Sequence, residues 1–273
     1  MAYNSVLLHL DIDGPIRPRV AYAKSVALMF DADLIGFCAA EPRYVMRLGE
    51  SNMAVADELK RQCEAIEASL AAAKAEFVRE TENSKRASWR GLIGNPTKLL
   101  AINCRAADLI ISGPQPDFPL DTSRSVDLGT LLLSSGRPVL LAPFDFQLPK
   151  AEAILIGWKD TREARRAIVD GLPFLTAASR VHVVTVDKNT PATRASIDDV
   201  VAYLARHGIK AFSEIVDVGG ANEAEALMEA ASEFGADLIV SGAYGHSRLS
   251  EWAFGGVTRT LLRGKSVNRL LSN

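Results

Sequence analysis

Residues Ala106–Gly113 read AADLIISG, and Gly235–Gly242 read GADLIVSG, at an offset of 129 residues. A near-copy at one long spacing marks an internal repeat, and a repeat sets every later boundary. The halves also begin alike: SVLLHLD at Ser5–Asp11 resembles AILIGWK at Ala153–Lys159, at an offset of 148, so the first copy carries 19 extra residues between these anchors. The surplus has a home in residues Ser51–Asn83, rich in Ala, Glu and Lys, where Leu59, Cys63, Ile66, Leu70, Ala73 and Phe77 recur every three or four positions. That period predicts one long helix, whose counterpart in the second copy, Thr193–His207, is much shorter.

Working outward from the repeat, the second copy alternates strands at Glu152–Trp158, Arg180–Val186, Ile209–Val216 and Ala236–Ser241 with helices near Arg162–Thr176, Thr193–Arg206 and Asn222–Glu233. A glycine-rich loop, a helix near Val257–Leu262 and a last short strand follow. A βα unit repeated about five times specifies the α/β class. The uninterrupted apolar runs AILIGW and DLIVSG suit strands covered by helices on both faces, as in a parallel sheet. Between the copies, Ala142–Lys150 carries two prolines and no helical period, which places the boundary near Pro149, giving domains 1–149 and 150–273.

Composition narrows the function classes. The 273 residues are 48% hydrophobic and 23% charged, globular proportions with ample material for a core. A formal net charge of -2 supplies no basic footprint for nucleic acid and no polybasic anchor for a membrane. Apolar runs such as Val6–Leu10 and Val139–Ala142 are far below the ~18 residues that span a bilayer. The start MAYNSVLLHLD lacks the basic region of a secretion signal, so the expected location is cytoplasmic. Cys38, Cys63 and Cys104 are odd in number with no Cys-x-x-Cys, and His9, His182, His207 and His246 are scattered. Buried, reduced thiols are expected, with neither a disulfide framework nor a protein-ligated metal.

The loop after Ser241 is the richest in chemistry. It runs Gly242-Ala243-Tyr244-Gly245-His246-Ser247-Arg248 and on through Gly255-Gly256-Val257-Thr258, a Gly-x2-Gly-x9-Gly-Gly pattern. Ligands of doubly wound sheets bind beyond the carboxyl ends of the strands, where such a loop lies. Glycines let backbone approach a ligand, and amides at a helix start face an anion with the helix dipole behind them. His246, Arg248 and the Thr258 hydroxyl add possible donors to the same anion. The pattern alone also fits a turn with a glycine cap; Arg248 and Glu251 also fit solvated charges, and Trp252 and Phe254 packing residues.

With these residues in hand, the second copy resembles a universal stress protein domain, whose nucleotide-binding members carry Gly-x2-Gly-x9-Gly followed by Ser or Thr. GAYGHSRLSEWAFGGVTRTLL is similar to the form of this segment in tandem members, and the likeness covers nearly the whole chain. The resemblance implies two consecutive doubly wound five-stranded parallel-sheet domains, flavodoxin-like or Rossmann-like. It further implies ATP or a related adenine nucleotide as ligand, with Mg as its counter-ion, pairing of the two domains within the chain or of two chains as a homodimer, and a regulatory or protective role in stress. Carried over, Gly242 and Gly245 would face ribose and phosphates, Gly255, Gly256 and Val257 would present amides to the phosphates with Thr258 next, and the loop around Val186 would wall the adenine. Lys159, Asp160, Ser241, His246 and Arg248 complete the candidate set. Two positions depart from the family: Gly256 stands for the usual Ser or Thr, and Lys159 for an Asp after the first strand. Lysine can reach a phosphate, but it cannot accept a hydrogen bond from adenine or ribose.

Other readings follow from the same residues. Asp160-Thr161-Arg162-Glu163 matches a capping box with Asp160 as N-cap. Asn268 and Arg269 replace a proline and an apolar residue in the last strand, whereas the first copy keeps Pro138 and Val139, so a looser or differently paired edge is expected. The first copy follows Gly113 with Pro114-Gln115-Pro116-Asp117-Phe118-Pro119, three residues without an N–H, and adds Asp121 and Asp127. Asp11 reads there as a remnant or a cap, and the first domain as scaffold. No catalytic residue is assigned, and little or no ATP hydrolysis is expected. Two alternatives stand beside nucleotide binding: a nucleotide-free interaction scaffold, and an ATP-using enzyme such as an adenylating ligase. The latter lacks a Gly-x4-Gly-Lys-Ser/Thr loop, an SGG loop and paired metal-binding acids.

Overall fold

The computed structural model describes residues 2–43, 52–114, 120–148, 150–217, 222–244, 256–264 and 266–273. The chain divides into two compact units, Tyr3–Ser135 and Gly136–Asn273. The division falls ahead of Pro149 because Val139–Leu141 pairs antiparallel with the final strand; Pro149 itself lies outside the described residues.

The first unit runs β1 (Ser5–Leu10), α1 (Ile16–Met29), β2 (Asp33–Ala40), α2 (Asn52–Glu80), β3 (Ala87–Ile93), α3 (Pro96–Asn103), β4 (Leu109–Ser112) and α4 (Leu128–Ser135). Its strands lie in the order β3-β2-β1-β4, all parallel. The long predicted helix is present as α2. It ends at Glu80 because Glu82 and Asn83 take left-handed φ of 54° and 57°, which no helix continues. Its second half enters the core: Ile66, Leu70, Ala73 and Phe77 are buried, while Leu59 and Cys63 are half-buried. Cys38 and Cys104 are buried and outside any disulfide, and burial, seconded by Asp11 and Asp13, pushes the Cys38 thiol up to about 12.

The second unit runs β5 (Val139–Leu141), β6 (Ala153–Gly157), α5 (Arg162–Ala177), β7 (Arg180–Val186), α6 (Pro191–Arg206), β8 (Ala211–Val216), α7 (Glu223–Phe234), β9 (Leu238–Gly242), α8 (Gly256–Arg263) and β10 (Asn268–Ser272). The order is β5-β10-β9-β6-β7-β8, parallel except for β5. The mostly parallel α/β architecture read from the repeat is therefore observed. Strand burial follows position: β6, β9 and β10 are almost wholly buried, whereas β8 at the edge exposes Phe212, Ser213 and Glu214. Among the described residues no helix is long and apolar enough to cross a membrane.

Helix starts are written locally. Thr190 accepts from the Thr193 amide at 3.1 Å ahead of Pro191, whose missing N–H is harmless there. Asn222 accepts from Ala224 and Glu225, and α7 ends on Gly235 at φ 65°. At α5 the expected cap is corrected: Thr161, not Asp160, accepts from the Ala164 amide at 3.2 Å, while Asp160 pairs with Arg165. Glu163 is buried and bonded to Arg162, so no capping box forms.

The last strand is not loose. Arg269 is completely buried, and its guanidinium donates to the carbonyls of Gly264 and Ala142, while the Asn268 amide donates to Gln147 and Asp237. Charge in a strand interior is tolerated because backbone carbonyls on both sides accept from its two terminal nitrogens.

Candidate functional site

In the second unit, β6 leads through α5 to β7 and then β8 on one side, whereas β9 pairs with β6 on the other. The reversal falls between β6 and β9, where the loops beyond the strand ends diverge and leave a crevice. A cavity of about 350 Å³ opens there. Gly157, Trp158 and Lys159 follow β6, Val184 and Val186 close β7, and Ser241 and Gly242 end β9.

Three helix starts border the same space: Thr161 and Ala164 of α5, Asn222, Glu223 and Ala224 of α7, and Gly256, Val257 and Thr258 of α8. Each helix start adds partial positive charge from its first amides. Thr161 and Asn222 already cap two of these helices. The Gly256 and Val257 amides are the first of α8, where intrahelical acceptors do not exist. Lys159 and Glu223 form a half-exposed ion pair at 3.5 Å, and among the described residues these are the charged side chains of the lining. An anion in the cavity would meet helix dipoles and one ammonium group against one carboxylate.

Glycine has separable reasons at the two described loop positions. A Cβ on Gly242 would lie 2.5 Å from the Ala164 nitrogen and 2.6 Å from the Glu163 carbonyl carbon, so close packing of β9 on the α5 start already requires glycine. Among the described residues a Cβ on Gly256 would meet nothing within 4 Å, so these leave the space over the α8 start open. Thr258 is buried, and its hydroxyl oxygen accepts from the Tyr244 amide at 3.3 Å, which ties the residue after β9 to α8. The buried Ser241 hydroxyl donates to the Gly242 carbonyl at 3.2 Å.

Of the candidate residues, the structure brings together Lys159, Val186, Ser241, Gly242, Gly256, Val257 and Thr258 around one cavity. Asp160 lines a neighbouring groove instead. Gly245, His246, Arg248 and Gly255 lie outside the described residues, as do Gln115–Pro119 of the first copy. Asn222 and Glu223 were read only as the start of a helix and not as site residues; an Asn-Glu helix start after the third strand was the available signal.

Residues 150–268 match the universal stress protein family model. The match begins where the sequence places the second domain. Universal stress protein Slr1230 of Synechocystis is 28% identical over 144 residues, 50% of this chain and 47% of that protein, so the chain spans about half the length of this curated relative. The solved universal stress protein from Archaeoglobus fulgidus DSM 4304 is similar over 99% of this chain and 96% of its own, at 16% identity and a TM-score of 0.70. The functionally unknown protein PA1789 of Pseudomonas aeruginosa PAO1 follows at 16% identity and a TM-score of 0.59, covering 99% and 92%. The family model and the curated relative support the universal stress protein family for the part of the chain they match, and the solved structures share the fold.

Proposed function

We propose that the chain is a two-domain universal stress protein that binds ATP or a related adenine nucleotide in its second unit, as a regulatory or protective protein of the cytoplasm. The carrying observation is the cavity at the β6/β9 reversal, with the open α8 start on its wall. Phosphates would lie against the Gly256 and Val257 amides, with Thr258 behind them. Val184 and Val186 supply an apolar wall suited to a base. A bed of amides holds phosphate equally before and during bond cleavage, so binding without sustained turnover is the expected behaviour.

Gly256→Asp tests the reading. Its side chain would enter open space at a helix start, where a carboxylate is welcome, so the fold should keep or slightly gain stability. The same negative charge should repel phosphates. Calorimetric titration of wild type with ATP should give one site per chain, and the variant should bind at least ~10-fold more weakly. Unchanged affinity in a folded variant, or two sites per chain, would reject it.

A further inference from the structure

A second cavity of about 440 Å³ lies in the same unit between α5 and α6, within the size range of small-molecule sites. Trp158, Ile168 and Val200, all buried, are among its lining residues, joined by Val169 and Tyr203. The Trp158 indole N–H is committed to the Ser196 hydroxyl at 3.0 Å, which fixes the ring and satisfies its only donor. What the ring offers a ligand is therefore apolar and π surface.

Charge selects the occupant. Asp160 is neutralised by Arg165, whereas Asp199 has no ion pair among the described residues. Ser196, Asp199, Val200 and Tyr203 share one face of α6 by their three- and four-residue spacing, so the unpaired carboxylate and the phenol ring belong to the same wall. An apolar cavity with two aromatic rings and one net negative charge fits a small organic cation, whose ammonium group would be attracted by both the carboxylate and the ring faces. We propose that this groove is a second ligand site, distinct from the β6/β9 cavity, that takes an arylalkyl ammonium ion.

The full chain would be titrated with phenethylammonium chloride while the methyl signals of Val169 and Val200 are followed by NMR. These two valines line this cavity and not the other. The site predicts saturable shifts of both signals, no comparable shift with phenylacetate, and affinity lowered about fivefold by Asp199→Asn, as for a partly exposed ion pair. Asp199 is exposed, so this variant should fold. Equal response to phenylacetate, an unchanged affinity in Asp199→Asn, or no saturable shift up to about 10 mM amine would overturn the assignment.

Discussion

The two units end their first strands differently. His9, Leu10 and Asp11 of the first stand at the offset where the second has Gly157, Trp158 and Lys159. In the first unit His9 Nδ1 lies 2.9 Å from the Ser112 hydroxyl and Nε2 lies 3.5 Å from Asp11, whose other oxygen accepts from Arg19 at 2.6 Å. Arg19 reaches the strand-end glycine: a Cβ on Gly113 would meet its terminal nitrogen at 2.9 Å. In the second unit the matching residues are Gly157, Lys159 and, on the helix, Ala167, and a cavity remains. One strand end is closed by the protein's own cation and imidazole; the other is left open with its cation at the rim. Glycine for histidine and alanine for arginine are the substitutions that separate a packed end from an open one.

The comparison breaks most visibly at Arg19. Its side chain is 10% exposed and that of Asp11 17%, so Arg19→Leu should strand a nearly buried carboxylate. The expected loss is about 3 to 5 kcal/mol, read by urea unfolding with Trp89 as the first unit's fluorophore. The Asp11 carboxyl should also titrate higher in this variant. Burial acts to raise it in the wild type, and the charges of His9 and Arg19 with the Arg19 hydrogen bond hold it below the usual range. A loss under about 1 kcal/mol would mean that the Arg19 contact is incidental.

A smaller effect should appear on acidification. Burial, its chief cause, lowers His9 from 6.5 to about 4, with Asp11 opposing and Arg19 assisting. The unfolded chain therefore takes up a proton near pH 6.5 that the folded chain refuses until about pH 4. Stability contributed by neutral His9 is complete above pH 6.5 and is lost as pH falls toward 4, about 3 kcal/mol in all. Asp11, with its lowered pKa, adds its own loss only at still lower pH. Denaturation midpoints measured across this window should slope for the wild type and flatten for His9→Gln. A wild-type profile already flat from pH 7 to 4 would show that His9 charges freely in the folded state.

Much of the architecture was legible because buried parallel strands are continuous apolar runs, and β7, Arg180–Val186, was readable to the residue. The cap of α5 was misread because Asp160 and Thr161 are adjacent cap formers, and local pattern cannot tell which one turns its side chain back to the helix. The first-unit knot was less accessible still. Its members are brought together by pairing of β1 with β4 and by α1 lying over them, contacts with no spacing in sequence. A hint existed in α1, where Arg19 shares a face with Ala23 and Val26, both buried, at helical spacing. In the second unit the β9 loop announced itself through glycines, whereas the α7 contribution at Asn222 and Glu223 depended on where the third crossover ends.

The smallest expected effect sharpens the comparison at the open end. Lys159 and Glu223 are each nearly half exposed, so their 3.5 Å pair adds little to folding, within about 0.5 kcal/mol, and either can be neutralised without disturbing the unit. Their influence on an anionic ligand is different in kind, because both line the cavity and bear opposite charge. Lys159→Gln should weaken ATP binding about three- to fivefold, and Glu223→Gln should strengthen it by a similar factor, each effect shrinking as salt rises. The double variant should return close to wild type, since the cavity then keeps its net charge. Calorimetric titration of the four proteins at two ionic strengths separates the outcomes. Changes of the same sign in both single variants would mean that the pair acts by holding the rim in shape, and Lys159 would then serve the fold as Arg19 does rather than the ligand.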